Sequence, residues 1–331
     1  MIYPASVAVT GTGSYLPSRV MLNDEFCSTI DTSDEWIRTR TGIRARRYAG
    51  PHENSATLGI EAARIAIDSA GLQPHDIDLI ICATVTPHMM TPSNACLIQT
   101  GLGCRPVGAF DIGAACTGFL YALSVGEQFV RTGTCQHVLV VGAETLSRVA
   151  DFTDRNTCIL FGDGAGAVVL SASDQSNHGL RFVRLYSDGT KSELISLPSM
   201  VTTAPIAPSV PLPRRPEFLR LSGREVFRFA VHRMTELIDD AMIECQKIGC
   251  EIDLLIPHQV NQRIIDAALE QCEFPASKVM VNLDKYGNTS AASIPIALDE
   301  ALRSGRAKRG DTMLFVAFGG GLTWGGAVVT L

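Results

Sequence analysis

Asp76-Ile77-Asp78-Leu79-Ile80-Ile81-Cys82 and, far downstream, Glu251-Ile252-Asp253-Leu254-Leu255-Ile256-Pro257 share one pattern, an acidic start followed by an apolar run of strand type. The periodicity predicts a helix before each, over residues 55–70 closed by Gly71 and over residues 225–247 closed by Gly249. A second echo lies downstream of both. Gly162-Asp163-Gly164-Ala165-Gly166-Ala167-Val168-Val169-Leu170 is matched by Gly319-Gly320-Gly321-Leu322-Thr323-Trp324-Gly325-Gly326-Ala327-Val328-Val329, the first at some distance after an apolar run at 138–141, the second directly after one at 313–318. A repeat of about 150 residues is far longer than any solenoid unit, so it points to duplication of a whole α/β half. Any α/β chain supplies helix-turn-strand units by coincidence, but the matching ends of both halves favour duplication. The halves are expected at 1–175 and 176–331, with the boundary at 171–179, where Ser, Asp, Asn and Gly accumulate. Two such halves bury their apolar faces as layers of helices around sheets.

The 331 residues, 46% hydrophobic and 6% aromatic, suffice for two domains or one large one with a substantial core. A net charge of −6 gives no general footprint for nucleic acid. The ten cysteines contain no Cys-x-x-Cys pair and no nearby histidine cluster of zinc spacing, so no metal is expected. The N-terminal residues lack a basic flank and no stretch approaches 18 uninterrupted apolar residues, which predicts a reduced, cytoplasmic protein without a membrane span. Six prolines between residues 197 and 216 exclude regular structure there. They predict an extended surface loop, either a border of a substrate entrance or a solvated excursion.

Chemistry centres on Cys116, in Asp111-Ile112-Gly113-Ala114-Ala115-Cys116-Thr117-Gly118-Phe119-Leu120-Tyr121, a lone thiol among small residues just ahead of a helix-forming stretch. The positive end of the helix dipole and the free amides of its first turn favour thiolate, so the pattern predicts a lowered thiol pKa. Gly113, Ala114, Ala115 and Gly118 are expected to leave room for a substrate carbonyl. The competing role is that of a small buried hydrophobe, the usual one for cysteine. His258 ends an apolar strand, where α/β folds present ligand-binding groups. Asn288 precedes the small run Thr289-Ser290-Ala291-Ala292-Ser293, either as a helix cap or as a group beside something that approaches closely. Phe318-Gly319-Gly320-Gly321 lets the backbone bend and aim an amide into a cavity. Cysteine hydrolases of the papain type also use Cys, His and Asn, so the residue set alone leaves the reaction open.

The motifs around these residues narrow the choice. Gly11-Thr12-Gly13-Ser14-Tyr15-Leu16-Pro17, Thr32-Ser33-Asp34-Glu35-Trp36-Ile37 with Thr39-Arg40-Thr41-Gly42-Ile43-Arg44, Phe161 to Ala167, His258-Gln259-Val260-Asn261, Gly287 to Ser293 and Phe318 to Gly325 occur in order along essentially the whole chain. In them the chain closely resembles β-ketoacyl-acyl-carrier-protein synthase III, a condensing-enzyme family of the thiolase superfamily. The resemblance implies a thiolase-like five-layered αβαβα fold of two duplicated halves, assembled as a homodimer. It implies that Cys116 accepts the acyl group of a short acyl-coenzyme A, with the backbone amides of Cys116 and Gly320 as oxyanion donors. His258 and Asn288 then hold the enolate formed when malonyl-acyl-carrier protein loses carbon dioxide, and the β-ketoacyl product starts fatty acid synthesis. Coenzyme A binding is implied for Trp36 and Arg155 around the adenine, Arg40 at the phosphates, Asn261 at the pantetheine, and Arg224. The acyl pocket is implied at Met89, Met90, Leu146, Phe161 and Phe318, and carrier docking at Arg263. No cofactor is implied beyond the coenzyme A thioester substrate.

Three departures from the family pattern bear on substrate. After Arg263 the helix continues with Asp266 and Glu270, acids where bases would meet an acidic carrier, although Arg214, Arg215, Arg220, Arg224 and Arg228 offer a basic rim. The segment Thr86-Pro87-His88-Met89-Met90-Thr91-Pro92-Ser93 differs by one residue in length and places flexible methionines where an aromatic is familiar, which predicts tolerance of a larger or branched primer. Arg224 replaces a smaller polar residue, as a ligand contact or a solvated side chain. A specialised-metabolite condensing enzyme of quinolone or polyketide type, a thioester hydrolase using Cys116, His258 and Asn288, and a non-catalytic binding protein are the alternatives.

Overall fold

The computed structural model describes residues 6–175, 178–198 and 217–331. Most of the proline-rich stretch, with Arg214 and Arg215, lies outside the described residues. Two sheets form the body. The first contains β1 (Ser6–Tyr15), β4 (Leu79–Ala83), β5 (Gly108–Ile112), β6 (His137–Thr145) and β7 (Asp163–Ser173), in the order β1-β7-β6-β4-β5. The second contains β8 (Gly179–Ser187), β11 (Leu254–Pro257), β12 (Thr312–Gly319) and β13 (Thr323–Thr330), in the order β11-β12-β13-β8. Small hairpins add β2 (Arg19–Leu22) with β3 (Ala45–Tyr48), and β9 (Ile195–Ser196) with β10 (Arg220–Leu221).

The duplication is written in this topology. In the first half β4 runs parallel to β6, which is antiparallel to β7, which is antiparallel to β1. In the second, β11, β12, β13 and β8 repeat that sequence of directions. The echoed runs of the sequence are the parallel strands β4 and β11, both buried along their whole length, as a parallel strand covered on both faces must be.

Helices complete the layers. α1 (Asn23–Cys27), α2 (Asp34–Thr41) and α8 (Leu283–Tyr286) are short and peripheral, while α3 (Ser55–Ser69) and α4 (Asn94–Leu102) share an apolar cluster with one face of the first sheet. α5 (Gly118–Arg131) and α9 (Ser293–Arg303) lie in a second cluster that takes residues from both sheets. α6 (Gly223–Ile248) and α7 (Gln262–Gln271) cover the outer face of the second sheet. The order is therefore α, β, α, β, α, with α5 and α9 as the central layer. Caps set the ends: Asn54 accepts from the amides of Ala56 and Thr57 to start α3, and Gly249, at φ 70°, ends α6 with the Cys250 amide bonded to the Cys245 carbonyl at 2.9 Å. Among the described residues no helix is long and apolar enough to cross a membrane, and no cluster of side chains is arranged to hold a metal ion.

Candidate active site

The starts of the two central helices converge. Cys116 sits in a single 3-10 turn, Ala115–Thr117, that runs into α5, and the matching turn Ser290–Ala292 runs into α9. Small residues make the approach possible: a Cβ on Gly142 of β6 would stand 2.4 Å from the Ala291 carbonyl oxygen, and one on Gly319 would stand 2.7 Å from the Cys116 nitrogen. Gly118 serves this packing, facing Ala83 and Ala291, rather than clearing space for a substrate. Threonines tie the halves together, with Thr117 and Thr323 hydroxyls 2.9 Å apart and Thr323 also donating to the Ala114 carbonyl at 3.2 Å.

Cys116, His258, Asn288 and Ser290 line one chamber whose remaining wall is apolar, including Val85, Leu146, Phe161, Val226 and Phe318. Its free space of about 40 Å³ holds about three water molecules. His258, completely buried at the end of β11, is 2.7 Å from the Ser293 hydroxyl through Nδ1, and Nε2 is buried without a protein partner. The Phe318 ring meets the imidazole edge-on at 5.6 Å. Burial lowers the His258 pKa to about 3, so the ring is neutral throughout the ordinary pH range. Asn288 is clamped by its backbone, its amide donating to Leu160 and its carbonyl accepting from Gly162, while its side-chain oxygen accepts from the Ser290 amide at 2.8 Å. Asn288 thus serves the turn and faces the chamber together.

The thiol departs from the expectation of a lowered pKa. Burial pushes Cys116 up to about 12, against the smaller opposing effect of the Ser290 hydroxyl, because an apolar chamber penalises a thiolate that water no longer solvates. The carboxyl of Glu144 lies close enough to add to the rise.

A second cavity adjoins the chamber and shares Leu221, Val226 and Val260 with it. Trp36, Arg40, Arg224, Asn261 and Arg263 line this groove, whose three arginines suit an anion. Arg155 stands beside it, its guanidinium 5.0 Å from the Trp36 ring centroid and held by the Asp31 carbonyl at 2.7 Å. Arg40 covers the same indole at 5.3 Å. Asn261 caps α7, accepting from the Arg263 amide at 2.9 Å and donating to the Arg40 carbonyl at 3.1 Å.

One placement differs from the sequence expectation. Met89 and Met90 are 43% and 83% exposed and take no part in the chamber, whose wall at this segment is Val85. The cause is local: Thr86 is tied inward to Glu144, and the chain beyond it runs over the surface, with the His88 amide held by Asn94. At the glycine turn Gly319 lines the chamber, and a Cβ on Gly320 would stand 3.2 Å from Ile195. Leu146, Phe161 and Phe318 line it. Sequence reasoning missed Glu144, Ser290 and Ser293 as functional candidates. The signals were a carboxylate closing an apolar strand and two serines spaced three apart in the small run after Asn288.

Comparison with known proteins agrees with this architecture. Residues 110–189 match the 3-Oxoacyl-[acyl-carrier-protein (ACP)] synthase III family and residues 249–331 its C-terminal counterpart. The chain is 47% identical over 323 residues to the beta-ketoacyl-[acyl-carrier-protein] synthase III of Xylella fastidiosa, covering 97% of each chain. It is similar to the crystal structure of 3-oxoacyl-[acyl-carrier-protein] synthase III from Aquifex aeolicus, with TM-score 0.89 and 45% identity over 98% of this chain and 100% of that one. It is also similar to the priming beta-ketosynthase of the R1128 polyketide pathway, with TM-score 0.90 and 38% identity over 100% and 98%.

Proposed function

This chain belongs to the β-ketoacyl-[acyl-carrier-protein] synthase III family, acyltransferase-type condensing enzymes of fatty acid synthesis, and from that premise we propose that it condenses a short acyl-coenzyme A with malonyl-acyl-carrier protein through an acyl-Cys116 intermediate. The observation that carries the proposal is the meeting of Cys116 from one half with His258 and Asn288 from the other on a single apolar chamber. In the first step Cys116 sulfur bonds to the thioester carbon, and coenzyme A leaves as its thiol. The oxyanion formed on the way is met by backbone amides, those of Cys116 and Gly320 by family analogy.

In the second step the malonyl thioester loses carbon dioxide, and charge moves onto its carbonyl oxygen. A neutral His258 suits this step. With the Ser293 hydroxyl donating to Nδ1, the ring carries its proton on the otherwise unpartnered Nε2 and offers it to the enolate alongside the Asn288 amide. The enolate carbon then attacks the acyl carbon, and Cys116 departs. A thioester hydrolase would need an activated water, yet a histidine held neutral down to about pH 3 is a weak base for that purpose.

Trp36, Arg40, Arg155, Asn261 and Arg224 are proposed to hold coenzyme A, with the adenine entering between Trp36 and Arg155, and Arg263 to meet the carrier. The narrow chamber favours a short acyl chain at Leu146, Phe161 and Phe318. The enzyme is proposed to act as a cytoplasmic homodimer without a metal. Intact-mass measurement with a panel of acyl-coenzyme A compounds, followed by malonyl-acyl-carrier protein, tests this function. The expected result is one acyl adduct on Cys116 that disappears as β-ketoacyl-carrier protein forms. Release of free acid without malonyl-dependent product would overturn it.

A further inference from the structure

From the segment that follows β4, Val85 alone reaches the chamber wall, and a buried carboxyl holds its backbone. Glu144, near the end of β6, is completely buried. Its oxygens accept from the amides of Val85 and Thr86 at 3.2 Å, the Thr86 hydroxyl at 2.5 Å and the Thr84 hydroxyl at 3.3 Å. A carboxylate only accepts, so three consecutive residues aim their donors at one group, and bonds to a charged acceptor are the strong ones. The Thr86 hydroxyl is committed on both sides, accepting from the Thr145 amide at 2.8 Å while it donates to Glu144. The other face of the segment is pinned as well. Ser55 donates to the Thr86 carbonyl at 2.7 Å, and Asn94, itself bonded to Ser55 at 2.8 Å, accepts from the His88 amide at 2.9 Å. Ser55 and Asn94 are buried like Glu144, so water does not compete for these bonds.

We propose that Glu144 is a positioning residue that sets the acyl-chain limit of the chamber, by holding the Val85 backbone and with it the valine side chain in the wall. Glu144 acts through Val85 and not on a reacting atom. Like the acyl pocket itself, this role rests on the reading of Cys116 as acyl acceptor.

The dimensions of the chamber give this tie its consequence. Val85 shares the wall with Leu146, Phe161 and Phe318 around a free space of about 40 Å³, where a wall displaced by a fraction of a methyl group changes which acyl groups fit. Valine is stiff at χ1, so its methyl groups follow the backbone that Glu144 holds. A glutamine at 144 keeps the shape but exchanges one carboxylate oxygen for a donating NH2 group. That group faces donors of residues 84–86, so at least one bond is lost and a buried donor is left unpaired, which drives the segment away from β6.

The test is the rate of Cys116 acylation by straight-chain acyl-coenzyme A compounds from acetyl to decanoyl, read by intact mass. The native enzyme should favour the shortest primers. E144Q should shift the ratio of acetyl to octanoyl acylation about tenfold or more toward the longer chain, the range of a methylene contact in an apolar pocket. V85A, which opens the wall directly, should shift it the same way, and the double variant no further than the larger of the two. A fall in E144Q that is uniform at every chain length, or shifts that add in the double variant, would each overturn the role. If E144Q does not fold, T86V, which removes the hydroxyl between Glu144 and the Thr145 amide, should shift the profile, and T86S, which keeps it, should restore the native one. A native profile in T86V, or a T86S profile like that of T86V, would overturn the role equally. No adduct on the native enzyme at any chain length would overturn Cys116 as acyl acceptor and the role with it, whereas an adduct whose profile E144Q leaves unmoved overturns Glu144 alone.

Discussion

Ala115 and Ser290 adopt the same left-handed backbone conformation, φ 46° and 49°, each as the first residue of the 3-10 turn that leads into a central helix. Neither is glycine, so both turns carry conformational cost that the packing around them must sustain. The two turns are counterparts in the duplicated halves. One aims the thiol into the chamber, and the other brings Asn288 and Ser290 to face it.

The tight seat of the second turn gives the first prediction. Gly142→Ala would place a methyl 2.4 Å from the Ala291 carbonyl oxygen and push the turn away from β6. Thermal and denaturant unfolding should show a loss of about 1–3 kcal/mol. Acylation of Cys116 should fall with it, because the same turn holds the chamber wall.

His258→Ala and Asn288→Ala should leave acyl-coenzyme A labelling of Cys116 intact while condensation falls by about 10²–10³ for each, as expected for lost donors to a developing oxyanion. Intact mass reads the first step and β-ketoacyl product the second. Loss of labelling in both variants would contradict the division of labour.

Ser293→Ala removes the hydroxyl 2.7 Å from His258 Nδ1 and frees the ring to carry its proton on either nitrogen. Condensation should drop about tenfold, roughly the worth of one hydrogen bond, with acylation unchanged. Equal loss in both steps would assign Ser293 a purely structural role.

At the groove, Trp36→Ala and Arg155→Ala should raise KM for acyl-coenzyme A by about 3–30-fold, the range of one cation–π contact. Rates with a truncated acyl thioester that lacks the nucleotide should not change. That contrast separates nucleotide binding from general damage.

Stability should carry a signature of His258. Its folded pKa of about 3 lies below the unfolded value near 6.5, so only the unfolded chain gains a proton between them, and stability is lost as pH falls through that window. The loss approaches roughly 5 kcal/mol. Glu144 acts oppositely, since its folded pKa of about 7 exceeds the unfolded 4.5 and stability falls as pH rises between those values. Unfolding of the native protein and His258→Gln in parallel isolates the first effect: their difference should shrink steadily below pH 6.5.

Local patterning was enough to read the duplicated α/β plan, the helices at 55–70 and 225–247, and the candidate set Cys116, His258 and Asn288. Apolar periodicity, glycine caps and small-residue runs express demands that neighbouring residues impose on one another, and those demands stay visible in one dimension. Met89 and Met90 show where such reading ends, because residue type gives no direction: the inward tie from Thr86 to Glu144 leaves them on the surface. The Cys116 thiol shows it again. A helix start lowers a thiol pKa, but burial is set by chain segments hundreds of residues apart, and here it prevails. Glu144, Ser290 and Ser293 belong to the same class. Glu144 is enclosed by the segment after β4, Ser290 shares the chamber with Cys116 of the other half, and Ser293 reaches His258 at the end of β11, placements that only the packing of α5 and α9 between the sheets creates.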